Sequence, residues 1–444
     1  MKKLLVLAAG ILQVPVIKKA REMGYYVIAA DGNPEAVGLP LADKAIVANI
    51  TDEEVMLRIA REEHIDGVIH PCSEVSMNVM GRINDELGLS GISRDTAIRA
   101  TNKHLMRQAF EQGGAPSPKS FCTNNADEAW ELFRKEFTGD AILKPSRNSG
   151  SRGVAKIAYP HPSSFSASLR KRPSAERPEG KGDTAKEEFV GLFERAKNES
   201  RDKSVMLEQF IEGPEFSVEI IVWQGEAHVL TVTDKKTTEA PYFVELGHNQ
   251  PSVFPIEIQR KLKDAAVAGV KALGLNNCAA HAELKFAIEQ EQCKATCELP
   301  SVSELAGSKL MDGEPYLMEI GARLGGDFIS TELTHLSTGV DMVAAAINVA
   351  LGIEPDLKPK EEPKGVCIRY FTPTPGRLVA IKNEDLLNDS HVYDAEIYHQ
   401  VGDVIPEVHS SLDRSGHVIV TSPTAQEAIL KADEMISKVK LTTV

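Results

Sequence analysis

Met318-Glu319-Ile320-Gly321-Ala322-Arg323-Leu324-Gly325-Gly326 is the run that decides the architecture. Its charged and apolar residues alternate up to Gly321, so it reads as a β-strand with Glu319 and Gly321 on one face. Arg323 lies just past that strand, in a glycine-rich turn. Upstream, His281-Ala-Glu283-Leu-Lys285 alternates in the same way and places three ionisable side chains on one face. Glu283 and Glu319, on neighbouring strands, would offer hard oxygen ligands to Mg²⁺, with Arg323 beside them. Two charged strands facing solvent would alternate likewise.

The middle of the chain holds two further signals. Ala141-Ile-Leu-Lys144 is a strand that enters Ser146-Arg-Asn-Ser149-Gly150-Ser-Arg-Gly153. Successive free N–H groups around Ser149, Gly150 and Gly153 could fold over phosphates, with Lys144 as the cation; a solvated hairpin tip has the same composition. Glu208-Gln209-Phe210-Ile211-Glu-Gly-Pro-Glu215 is a strand edge running into an acidic turn. Its backbone can offer donors and acceptors to a base, and Glu215 could reach ribose hydroxyls.

Farther out, the first 90 residues alternate strand and helix. Leu4 to Ala9 is a strand apolar on both faces, and Tyr26–Ala30, Ala45–Val47 and Gly67–Pro71 continue the rhythm. Strand–helix alternation predicts a parallel sheet. Thr51-Asp-Glu-Glu54 is expected to open a helix as a capping box. One glycine, Gly10, stands where a dinucleotide fingerprint needs three, so classical NAD binding is not expected. Helices are expected over about 101–112, behind an Asn125 cap, and from Pro255 with Ile258, Leu262, Ala266, Val270 and Leu273 on one side. Residues 160–184 and about 287–313 read as surface insertions. Pro355–Pro363 is a linker, and the last 80 residues read mainly as strands ending in a helix capped by Thr424. These divisions suggest 1–95 as an N-terminal α/β domain, 96–352 as the central domain with a small subdomain at about 119–210, and 353–444 as a β-rich domain.

The chain has 444 residues, 50 Lys+Arg against 64 Asp+Glu, and a formal charge of −14. So acidic a chain is poorly suited to nucleic acid. Six cysteines without a Cys-x-x-Cys pair suggest free thiols in a reducing compartment. No stretch reaches ~18 apolar residues, so no membrane span is expected. A cytoplasmic location follows as an expectation.

Taken in order, Lys103, Lys144 with its glycine-rich loop, Glu208 through Glu215, Glu283, and Glu319-x-x-x-Arg323-x-Gly325-Gly326 resemble the ATP-grasp superfamily over essentially the whole chain. Asp234-Lys-Lys-Thr-Thr, Val244-Glu-Leu-Gly-His248 and Ser337-Thr-Gly-Val-Asp341 resemble its L-amino-acid ligases of the bacilysin- and dapdiamide-forming kind. The implied fold is α/β, α+β overall: an ATP-grasp fold behind a parallel α/β domain and ahead of a β-rich one. The implied activity is ATP-dependent amide formation through an acyl-phosphate, using Mg²⁺ or Mn²⁺, small carboxylate and amine substrates, and a homodimer.

The resemblance also implies roles. Lys103 and Lys144 would hold phosphates, and Glu208 the adenine amino group. The backbone of Gln209, Phe210 and Ile211 would meet the ring edge, and Glu215 the ribose. Glu283 and Glu319 would ligate the metal. Arg323 would stabilise the intermediate, and Lys235, rather than Lys236, would meet the γ-phosphate or substrate. Glu74, His248, His281, Gly325 and Gly326 are substrate-side candidates. Ser73 capping a helix would account for Glu74 equally well. Gly321 stands where many relatives carry an Asn ligand. A bicarbonate-using, biotin-carboxylase-like or carbamoyl-phosphate-synthase-like enzyme and a non-catalytic nucleotide sensor are the alternatives.

Overall fold

The computed structural model describes residues 1–147, 153–159, 184–238, 243–287 and 313–444. Ser149, Gly150, Cys293, Cys297 and nearly all of both insertions lie outside the described residues.

Four parallel strands open the chain, in the order Lys44–Val47, Tyr26–Asp31, Lys3–Leu7, Gly67–Ile69. Leu4, Leu5, Val6 and Leu7 are wholly buried, as a strand covered on both faces must be. Helix Glu53–Glu63 starts one residue later than the capping-box reading: Asp52, not Thr51, accepts the Glu54 and Val55 N–H groups. The carboxylate of Asp31 accepts from the Ala9 and Asn33 N–H groups, so it closes the turn itself.

An eight-stranded antiparallel sheet forms the centre. Its order is Glu314–Gly321, Cys278–Ala287, Glu215–Trp223, Glu226–Thr237, Glu245–Gln250, Gly365–Tyr370, Gly416–Ser422, Val392–Ile397. The last three strands come from the C-terminal region, which therefore continues the central sheet. Helix Ile256–Leu273 packs its predicted apolar face beneath this sheet, with Ile258, Leu262, Ala266, Val270 and Leu273 all buried. A Cβ on Gly269 would come within 2.5 Å of Ile320 and 2.7 Å of Leu317, so glycine lets helix and strand approach.

A separate antiparallel sheet, Ser120–Thr123, Val205–Gln209, Ala141–Pro145, Ala155–Ile157, covers one side of the cleft. Its own core includes Trp130, Phe133, Phe189 and Phe193. The helix expected over about 101–112 is Lys103–Gly113; a further helix, Arg94–Thr101, precedes it, and Asn102 between them has an extended backbone and caps the second helix with its side chain. Asn125 and Thr424 cap their helices as expected. A small sheet, Val404–Ile405, Gly376–Lys382, Lys440–Thr443, closes the C-terminal end. Among the described residues, no helix is long and apolar enough to cross a membrane.

Candidate active site

Strand register brings the two carboxylates together. Glu283 pairs directly with Glu319, and His281 with Gly321. The register shifts between Glu283 and Leu284, where Met318 is left opposite no partner. The bulged Met318 carbonyl instead accepts from Arg107 Nη2 at 2.7 Å. A bulge beside a site re-aims side chains.

Cations surround the pair. Lys103, the first residue of its helix, places Nζ 3.0 Å from Glu319 Oε2. Burial would lower its pKa, but Glu319 and Glu74 outweigh burial and raise it. Lys235 is buried, 2.8 Å from Glu245 and 3.2 Å from Glu283. Lys235 holds the Glu283 carboxyl well below its ordinary range. Lys236 points to the other face, towards Asp433, whereas Lys235 lies beside Glu245 and Glu283. Arg323 Nη2 lies 3.4 Å from Glu74 Oε1, and the Arg323 Nε is buried without a hydrogen-bond partner. Burial, then the neighbouring Glu319 charge, raises the Glu74 carboxyl. The Ser73 cap does not form: the helix starts at Met77, and the residue at its N-cap is Ser76. The motif has brought Glu74 to Arg323 instead.

A second cluster spans the cleft. Glu208 is 1 % exposed and lies between Lys144 Nζ, 2.5 Å from Oε2, and Arg107 Nε, 3.0 Å from Oε1. Burial would raise the Glu208 carboxyl, but the two cations prevail and hold it below its ordinary range. Burial pulls Lys144 down. Glu215 lies 3.0 Å from Lys285. The Phe210 ring sits between Lys156, 3.9 Å away, and Lys285, 5.2 Å away. The Gln209 and Phe210 N–H groups donate to Lys119 and Asp140 carbonyls. They are engaged within the sheet edge rather than left for a base; Ile211 next to them is buried. Gly153 has φ +76°, and a Cβ there would meet Glu199 and Pro145.

Beneath the carboxylates runs a buried network. His281 Nδ1 lies 2.8 Å from Glu219 Oε1, and Ser217 Oγ donates to the same oxygen. Burial would lower the His281 pKa, yet Glu219 raises it to about 9. The other His281 nitrogen is 3.5 Å from Glu283. The Gly325 N–H donates to Ser330 Oγ, which lies 3.4 Å from Glu219 Oε2. A Cβ on Gly325 would stand 2.7 Å from His281 Nδ1, so only glycine fits, whereas Gly326 has open space. His248 is wholly buried, 3.5 Å from Asp327, with neither ring nitrogen hydrogen-bonded. Glu245, His248 and Asp327 bring their ligating atoms within 4.8 Å of one another. Lys235 already pairs with Glu245, and Arg414 with Asp327.

The structure therefore gathers Lys103, Glu74, Lys235, His281, Glu283, Glu319, Arg323 and Gly325 at one end of the cleft, and Lys144, Glu208, Phe210 and Glu215 along it. Sequence reading missed Arg107, Glu219, Glu245, Asp327 and Arg414. Arg107 is four residues past Lys103 on one helix face, and Glu219 is four past Glu215 on one strand face, so periodicity could have found both. No local pattern ties Arg414 to Asp327.

Comparisons with known proteins match this layout. The ATP-grasp domain family model matches residues 138–298, and the L-amino acid ligase C-terminal domain 2 model matches 369–444. Alanine–anticapsin ligase of Bacillus subtilis (strain 168) is 27% identical over 263 residues, 55% of this chain and 50% of the relative. The chain thus spans about half the length of the curated relatives it matches first. The L-amino acid ligase from Bacillus licheniformis superposes with TM-score 0.74 at 19% identity, covering 100% of this chain and 99% of that one. Phosphoribosylglycinamide synthetase from Anaerococcus prevotii superposes with TM-score 0.72 at 22% identity, with 100% of each chain covered. Fold and matched domains agree: the chain contains an ATP-grasp domain over residues 138–298 and an L-amino acid ligase C-terminal domain 2 over residues 369–444.

Proposed function

We propose that this protein is an ATP-dependent carboxylate–amine ligase, joining an amino acid to a second amine with release of ADP and phosphate. The observation that carries the reading is the direct pairing of Glu283 with Glu319, ringed by Lys103, Lys235 and Arg323. A sensor would need no such set around two carboxylates. The L-amino acid ligase domain at 369–444 favours an amine acceptor over bicarbonate.

Glu283 and Glu319 fit a divalent cation: both are carboxylates, both face the same cleft, and each is now neutralised by a lysine within 3.2 Å. Mg²⁺ or Mn²⁺ held there would neutralise phosphate charge. The remaining work falls to the chain. Lys103 and Lys144 bind phosphate oxygens, and Glu208 contacts the adenine amino group, its charge opposing the burial that lowers the Lys144 pKa. Of the strand edge, the Ile211 N–H is left to meet the base; Glu215 takes the ribose. Ser149, Gly150 and Gly153 offer their N–H groups to the phosphates.

The substrate carboxylate attacks the γ-phosphorus and ADP leaves, giving an acyl-phosphate. The amine then attacks the acyl carbon, the C–O bond to phosphate breaks, and the ammonium proton leaves with solvent or phosphate. Arg323 and Lys235 stabilise the negative charge that develops in both steps. Glu74, with its raised pKa, and His248 line the amine side, with Gly326 leaving room beside Gly325 and His281. We further infer that the protein acts in the cytoplasm on small molecules as a homodimer.

The test is ADP release from ATP and Mg²⁺ over the twenty amino acids, singly and in pairs, with bicarbonate in its own arm and Glu319→Ala as control. Release that requires two amino acids and disappears in Glu319→Ala is the expected result. Release with bicarbonate alone establishes the carboxylase reading instead.

A further inference from the structure

The loop after Arg323 is held in a conformation that side chains seldom take. Asp327 and Phe328 both lie in the left-handed region, with φ of +50° and +62°. Two consecutive non-glycine residues there persist only where surrounding contacts over-determine them. Those contacts come from the end of the chain. Arg414, 87 residues beyond Asp327, donates to both its carboxylate oxygens at 2.6 and 2.8 Å. The guanidinium lies 3.6 Å from the Tyr370 ring centroid, and also donates to the Ser411 and Glu245 carbonyls. It is thus fixed from several sides before it grips the loop. His417 lies against Phe328, with ring centroids 4.6 Å apart. Tyr398 and Asp394, each at 2.8 Å from a His417 nitrogen, orient that ring. The same loop carries Arg323 and Gly325 at its other end.

We propose that Arg414 is a positioning residue of the C-terminal domain. With His417 it holds Asp327 and Phe328 in their left-handed turn and so sets the Arg323–Gly326 segment for reaction. The clamp itself stands on geometry; its kinetic consequence rests on the ligase reading above. A guanidinium supplies both the two-pronged pair and the ring stacking, whereas a lysine supplies charge alone. The C-terminal domain is thereby part of the catalytic arrangement and not only a cover for the sheet.

The experiment compares the full-length protein with Arg414→Ala, Arg414→Lys and Asp327→Asn. Amide exchange over 324–333, ADP release, and calorimetric binding of Mg·ADP are measured on each. Arg414→Ala should speed exchange in 324–333 by about tenfold while the strands of the small sheet keep their protection. Its kcat for ADP release should fall by about tenfold or more, with KM for ATP and Mg·ADP affinity within about twofold of the parent. Arg414→Lys should lie between. Unchanged exchange over 324–333 overturns the proposal, whatever happens to activity. Faster exchange with full kcat, or a parallel loss of Mg·ADP affinity, also overturns it. If the parent protein releases no ADP with any acceptor, the ligase reading fails and exchange alone decides the clamp. Should Arg414→Ala not fold, Asp327→Asn, which removes only the charge of the pair, carries the same test.

Discussion

Replacing Arg107 by methionine should destabilise the protein by about 3 kcal/mol, because it strips one partner from a buried ion pair. Arg107 and Glu208 are 3% and 1% exposed. Arg107 Nε lies 3.0 Å from one Glu208 oxygen, Nη2 3.3 Å from the other, and Nη2 also serves the Met318 carbonyl. Methionine keeps much of the stem's volume, so little of the loss is cavity. Breaking a buried pair typically costs ~3–5 kcal/mol. Lys144 stays on Glu208 and retains part of the compensation, which places the figure at the lower end. Urea unfolding at pH 7 measures it. Adding Glu208→Gln removes the stranded charge, so the double variant should be less unstable than the sum of the singles by ~1 kcal/mol or more. The pH dependence has a definite sign. A carboxyl whose pKa is depressed in the folded state stabilises above its unfolded value and loses that contribution as pH falls through the folded one. The gap between parent and Arg107→Met should therefore narrow below about pH 4.5, the ordinary value for Glu208. An Arg107→Met protein within ~0.5 kcal/mol of the parent, or strict additivity in the double variant, refutes the reasoning.

Two further outcomes follow from the buried network. Gly325→Ala should displace His281 from Glu219, costing ~1–3 kcal/mol by overpacking and reducing ADP release, while Gly326→Ala, with nothing within 4 Å, should keep the parent's stability; urea midpoints read both and initial rates the first. The raised His281 pKa of about 9 gives stability that is complete below its unfolded value near 6.5 and lost as pH rises through about 9. Against Glu219→Gln, the parent's advantage in urea midpoint should be larger at pH 6 than at pH 9.5; equal advantages at both would contradict the pairing.

Much of this site was legible because its residues sit in strands. A period of two placed Glu283 with His281 and Glu319 with Gly321, and the register then set the pairs opposite each other. Lys103 and Lys144 were legible as cations at the ends of regular elements. What escaped were residues whose meaning depends on distant partners. Arg107 and Glu219 look like ordinary charged positions until Glu208 and His281 are brought to them by the fold. Arg414 and Asp327 meet only because strand Gly416–Ser422 joins the central sheet through Gly365–Tyr370. The capping errors have a local cause. Thr51 and Asp52 are both good caps, and the backbone turned at Asp52; Ser73 lay too far from a helix that starts at Met77. That the Gln209 and Phe210 N–H groups tie the sheet to Lys119 and Asp140 was not legible either, because both partners are distant in the sequence.

The central claim, that a substrate carboxylate is phosphorylated before an amine takes the acyl group, is tested most directly by oxygen transfer. The protein is incubated with ATP, Mg²⁺ and a pool of amino acids labelled with ¹⁸O in their carboxylates, and the released phosphate is analysed by mass. An acyl-phosphate route predicts phosphate carrying one labelled oxygen, formed in step with ADP and absent from Glu319→Ala. ADP release with wholly unlabelled phosphate would contradict it, since water and not the carboxylate would then be the nucleophile.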